Sequence, residues 1–189
     1  DTVNSYNVLD VTLASQIPAP AAVPRNVMTT SACGICGTTS IDQVLRESPY
    51  GMDREVAVAA DLVLSAPLHL RQQQRAFDRT GGLHAAGLLG LNSEMVCVRE
   101  DVGRHNAVDK VIGWAIEQQL LPLRHMILAV SGRASFELTQ KAVLAGIPVL
   151  AAVSAPSSLA AELAEEAGLT LVGFVRGETM NVYTHPERI

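Results

Sequence analysis

Met126-Ile127-Leu128-Ala129-Val130 and Val149-Leu150-Ala151-Ala152-Val153 are unbroken apolar runs of strand length, each followed by a polar loop and an amphipathic stretch. A strand with one wet face alternates apolar and polar residues. A strand that does not alternate is covered on both faces, which in practice means helices on either side of a parallel sheet. The pattern around the two runs agrees: strands over 125–130, 148–154 and 169–175 interleave with helices over 106–119, 135–145 and 157–167. Upstream, the extended runs His84 to Leu91 and Glu94 to Glu100 are separated by Asn92-Ser93, a hairpin signal. Before them, Ser65-Ala66-Pro67 opens a helix that runs through Asp78 and ends at Gly81-Gly82, and a shorter helix is expected over 41–47. The class that follows is α/β: a three-layer sandwich on a mixed sheet, with one largely parallel half and one hairpin half.

The chain has 189 residues, 48% hydrophobic and 17% charged, enough to bury one good core. A net charge of −5 argues against a nucleic-acid partner, and no apolar run reaches membrane-spanning length. Three cysteines and no signal peptide fit the reducing cytoplasm. The opening Asp1-Thr2-Val3-Asn4-Ser5 has no initiating Met and reads as the start of a fragment. Residues 1–26 divide into a strand over Val8 to Leu13 and a proline-rich linker, Ile17 to Pro24; residues 27–189 form the main domain.

Two of the three cysteines lie in Ser31-Ala32-Cys33-Gly34-Ile35-Cys36-Gly37, just ahead of the capping-box offset Ser40 to Gln43. A Cys-x-x-Cys unit supports redox exchange, metal ligation or sulfur relay, and the thiolate is the reacting species in each. A helix start favours the thiolate and lowers a free-thiol pKa of about 8.5. Structural zinc would need two further ligands from Cys97 and five histidines, and no second Cys-x-x-Cys or spaced His pair is present. A chain of this size does not need a disulfide staple. Cys97, within Met95-Val96-Cys97-Val98, reads as a buried strand residue.

In sheets of this kind, ligands settle at the carboxyl ends of the strands, where helix N-termini offer free N–H groups. These ends are rich in polar side chains. After 126–130 come Ser131, Gly132, Arg133 and Ser135; after 149–153 come Ser154 and Ser157; the last strand ends in Phe174, Val175, Arg176, Gly177, Glu178 and Thr179. Gly103, Arg104, His105 and Asn106 lie between a strand and a helix whose N-cap is read as Asn106, and His84 follows Gly81-Gly82. His84 could equally be a core histidine bonded to backbone. No full phosphate-loop or dinucleotide fingerprint is present, so these residues point to an anionic, nucleotide-like ligand and no further.

Taken together, Cys33-Gly34-Ile35-Cys36-Gly37, Thr80-Gly81-Gly82-Leu83-His84-Ala85-Ala86, Asp101 to Lys110, Ser131 to Glu137 and Ser154 to Ala160 resemble the formate dehydrogenase accessory sulfurtransferase (FdhD) family. The resemblance implies a cytoplasmic protein, often a homodimer, with a cytidine-deaminase-like core. Such a protein takes sulfane sulfur from a cysteine desulfurase and passes it to a molybdenum (or tungsten) bis(molybdopterin guanine dinucleotide) cofactor destined for formate dehydrogenase, with a guanine nucleotide as surrogate ligand. It further implies that Cys33 carries the persulfide, that Cys36 assists, and that Phe174 to Thr179 contact the cofactor beside the Ser131 and Arg104 loops. The family's Ser-Ser-Cys-Gly stands here as Ser31-Ala32-Cys33-Gly34, and the further segment that family members carry ahead of this region is not in the sequence. Two other readings compete. An active zinc deaminase would share the core, but His84-Ala85-Ala86 lacks the glutamate that moves the proton. A non-catalytic chaperone would bind and deliver the cofactor without carrying sulfur.

Overall fold

A computed structural model describes residues 45, 48–53 and 55–189. The N-terminal strand, the proline-rich linker, the cysteine pair and most of the helix expected over 41–47 lie outside the described residues. In chain order the elements are α1 (Ala60–Gln72), α2 (Arg75–Thr80), β1 (His84–Gly90), β2 (Met95–Asp101), α3 (Arg104–Glu117), β3 (Met126–Val130), α4 (Phe136–Leu144), β4 (Val149–Ala152), α5 (Ser158–Ala167), β5 (Thr170–Arg176) and β6 (Thr179–Val182), closed by a 3-10 turn at Pro186–Arg188.

The strands form one mixed sheet in the order β2-β1-β3-β4-β5-β6. β3, β4 and β5 are parallel, Leu128 pairing with Leu150 and Leu150 with Leu171. β1 runs antiparallel to both β2 and β3, and β6 antiparallel to β5. The apolar runs meet two helical layers. Leu128, Val130, Leu150 and Ala152 pack against α3, α4 and α5, while Ile127, Ala129, Val149 and Ala151 pack against α1. The period-two alternation therefore feeds two separate cores, which is why neither run could alternate in polarity. Where α1 crosses β1 the layers nearly touch: a Cβ on Gly87 would stand 3.0 Å from Leu70 Cδ1 and 3.2 Å from the carbonyl oxygen of Cys97.

Several boundaries differ from the sequence reading. The first long helix begins at Ala60, with Pro67 in its interior, and the helix is interrupted at Gln73–Gln74 before α2. Its buried residues Leu62, Val63, Ala66 and Leu70 form one helical stripe on the sheet, and that packing carries the proline. Gly81 ends α2 in the left-handed conformation, and the hairpin forms around Asn92-Ser93 with a bulge between Leu88 and Leu89. The N-cap of α3 is Gly103, not Asn106: Arg104 and His105 already belong to the first turn, and the N–H of Ala107 donates to Gly103 O at 3.1 Å. β6 was not expected. Cys97 is buried in β2. Among the described residues no helix is long and apolar enough to cross a membrane.

Candidate functional site

Because β1 is antiparallel to β3, its first residue, His84, lies beside the carboxyl end of β3. Ser131 fixes this junction: its N–H donates to Ala85 O at 3.0 Å and its Oγ accepts the N–H of Ala85 at 2.8 Å. A Cβ on Gly132 would stand 3.4 Å from His84 Nδ1, so the imidazole lies against the bare backbone of the glycine. On the α1 side of this end opens a cleft of about 990 Å³. Its floor is His84, Ser131 and Val153, one wall is Val175 to Glu178, and the other is α1 and α2 with Leu70, Arg71, Gln74 and Phe77.

The β5–β6 corner is shaped by backbone irregularity. The pairing slips between Gly173 and Arg176, and Phe174 adopts φ +52°. The slip turns Val175 onto the same face as Val172, where both are buried against the α1 layer. Gly177, at φ +55° with open space beside it, closes the turn as only glycine does freely. Arg176 Nε donates to Val153 O at 3.3 Å, and its guanidinium lies 6.0 Å from the centre of the half-exposed Phe174 ring. A planar cation anchored at the rim of an apolar cleft suits an anionic, ring-bearing ligand.

The remaining predicted residues gather across the sheet, at the N-termini of α3 and α4. His105 Nε2 lies 3.3 Å from Oγ of the buried N-cap residue Ser135 and 3.6 Å from Glu137 Oε2. Both contacts fall on one ring nitrogen, so the set is not a serine–histidine–acid relay, in which the acid holds the other nitrogen. Burial, then the Arg104 charge, pushes the His105 imidazole below its usual pKa, against the pull of Glu137. Arg104 Nε and Glu137 Oε2 are buried without hydrogen-bond partners among the described residues. Gly103 and Asn106 both bond Asp101 Oδ1, at 2.8 and 3.2 Å. Arg133 is exposed on the loop joining the two clusters. Ser154 O accepts the N–H of Phe174 at 3.3 Å, Ser157 Oγ caps α5 through the N–H of Ala160 at 3.2 Å, and Thr179 Oγ1 donates to Arg176 O at 3.1 Å.

The structure thus joins His84, Ser131, Val175, Arg176, Gly177 and Glu178 in one cleft and sets Gly103, Arg104, His105, Asn106 and Ser135 apart from it. Sequence reasoning missed the α1–α2 wall, including Arg71, Gln74 and Phe77. The signal available was the glutamine-rich end of that helix, and it reads as a solvated face.

The sequence model of the FdhD/NarQ family matches residues 3–189. The sulfur carrier protein FdhD of Mycolicibacterium paratuberculosis is 60% identical over 191 residues, covering 100% of this chain and 70% of its own length. The sulfur carrier protein FdhD of Nocardia farcinica is 57% identical over 187 residues, 98% of this chain and 66% of its own. A crystal structure of a candidate formate dehydrogenase accessory protein from Desulfotalea psychrophila superposes with a TM-score of 0.69 at 31% identity, over 78% of this chain and 62% of that one. This chain therefore spans between 62% and 70% of the length of these proteins. With a match over nearly all of its residues and majority identity to such relatives, the chain belongs to the FdhD/NarQ family.

Proposed function

We propose that this chain is a cytoplasmic sulfurtransferase that carries sulfur as a persulfide on Cys33 and delivers it to a molybdenum bis(molybdopterin guanine dinucleotide) client used by formate dehydrogenase. The thiolate of Cys33 attacks the outer sulfur of a desulfurase persulfide, the desulfurase cysteine leaves as thiolate, and Cys33 keeps the sulfane sulfur. Cys36 assists the handover, and the protein acts as a homodimer. The observation that carries the reading is the strand-end cleft. Its apolar walls suit a flat heterocycle, and Arg176, Ser131 and His84 supply the donors that a guanine dinucleotide's pyrophosphate needs. The client's metal is substrate and is handed on with the cofactor.

Intact mass after incubation with a cysteine desulfurase and cysteine tests the sulfur step. Wild type gains one sulfur atom at Cys33, and Cys33→Ala gains none. An adduct that survives in Cys33→Ala moves the role elsewhere, and a wild type that binds the client yet never takes up sulfur reduces the protein to a delivery chaperone.

A further inference from the structure

The peptide groups of Gln74 are held on both sides. Its N–H donates to Arg71 O and its carbonyl accepts the N–H of Asp78, each at 3.2 Å, where α1 turns into α2. As the N-cap of α2, Gln74 stands where a side chain ordinarily accepts a bond from the first turn, yet it makes none. That work is done from another strand. The Glu100 carboxylate of β2 accepts the N–H groups of Ala76 at 2.8 Å and Phe77 at 2.7 Å. Gln74 is only 4% exposed, it lines the cleft, and its carboxamide has no hydrogen-bond partner among the described residues. Neither of its amide atoms is closed off from solvent, so a side chain otherwise packed away keeps its amide open to the cleft, where a ligand can take the place of water.

We propose that the Gln74 carboxamide is the specificity-determining group of the cleft, pairing with a cis-lactam edge of the bound heterocycle, an N–H beside a C=O as in guanine. This rests on the nucleotide reading of the cleft given above. A carboxamide presents one acceptor and one donor side by side, which matches that edge in two parallel hydrogen bonds. Leu70 and Phe77 line the same cleft and offer apolar surface to the heterocycle. Fixing the backbone at both peptide groups means that little is left to order when the ligand enters.

Titration of three diphosphates tests the assignment. Guanosine and inosine diphosphate carry the lactam, and purine riboside diphosphate does not. Wild type binds the first two alike and the third about tenfold or more weakly, as a site left with unpaired polar groups does. Gln74→Met keeps the length of the side chain and removes the amide, so it binds all three alike while its ligand-free melting temperature stays at or above that of wild type. Gln74→Glu offers only acceptors and prefers guanosine diphosphate, whose N1–H and N2–H₂ both donate, over inosine diphosphate, which has N1–H alone. A Gln74→Met protein that melts earlier and still rejects purine riboside diphosphate makes the residue structural and overturns the proposal. A wild type blind to the base, but weakened by Arg176→Ala, overturns the role of Gln74 and leaves the cleft reading standing. No binding to wild type removes both.

Discussion

Asp101 shows how one carboxylate organises the end of β2. Its Oδ2 meets Lys110 Nζ at 2.5 Å, and its Oδ1 accepts Gly103 N–H at 2.8 Å and Asn106 Nδ2 at 3.2 Å. The Lys110 hydrogen bond, then the Gly103 amide, lowers its pKa to about 2. An unfolded aspartate titrates near about 3.9, so between these values the unfolded chain binds the extra proton. The stabilisation from Asp101 is therefore full above about pH 4 and lost as the pH falls toward 2. Urea midpoints of wild type and Asp101→Asn should differ by a constant amount above pH 5 and converge below pH 4; parallel curves down to pH 2 would remove Asp101 from the acid transition. His105 has the matching sense for a base. With its pKa depressed by burial and by Arg104, the folded state favours neutral imidazole, and the stability this gives is present above the ordinary value of about 6.5 and lost as the pH falls through the lowered one. An NMR titration should place the His105 ring below that ordinary value, and a midpoint above it would mean that Glu137 outweighs burial.

At the level of elements, the interior strands and the helices between them were legible, and the helix ends less so. Continuous apolar runs announce buried strands because every position must be apolar, as Ile127 and Leu128 show by facing opposite cores. Pro67 misled because a proline ordinarily opens a helix. Here the stripe from Leu62 to Leu70 packs firmly enough on the sheet to absorb a lost backbone bond, an outcome decided by tertiary contacts. β6 has a half-polar, half-exposed pattern and exists because β5 offers an edge. The shift of the α3 cap to Gly103 follows from Asp101, which takes both the Gly103 N–H and the Asn106 amide. α2, of six residues, has no buried side chain and depends on its cap from Glu100. Glu100→Ala should cost about 1–2 kcal/mol by chemical denaturation. Hydrogen exchange should quicken at Ala76 and Phe77 while the buried turn of α1 around Val63 keeps its protection. Unchanged exchange at Ala76 and Phe77 would show that packing alone holds α2.

Over the whole molecule, the sheet sorts the polar residues into two groups at one end. Sequence placed Ser131, Arg133, Ser135, Arg104 and Arg176 together because all follow strands or precede helices, but position along the chain does not say which face of the sheet a loop serves. The loop after β3 serves both faces: Ser131 lines the cleft on the α1 side, Ser135 reaches His105 on the α3–α4 side, and exposed Arg133 lies between. The α1–α2 wall was illegible for a related reason. Gln74 and Phe77 owe their place to a helix break and to a carboxylate on another strand, neither of which leaves a local motif. This division predicts how a small ligand behaves. If the proposed function holds, guanosine diphosphate, being short, should engage the α1-side cleft alone, so Arg176→Ala should weaken it about tenfold, the scale of one lost charge-assisted contact. Arg133→Ala and His105→Ala should leave its affinity within about twofold, since sites that share no partners act independently. Isothermal titration of the three variants checks this. Should Arg133→Ala weaken binding as much as Arg176→Ala, the nucleotide would have to cross the sheet end through the Ser131–Ser135 loop, and the two clusters would form one continuous site.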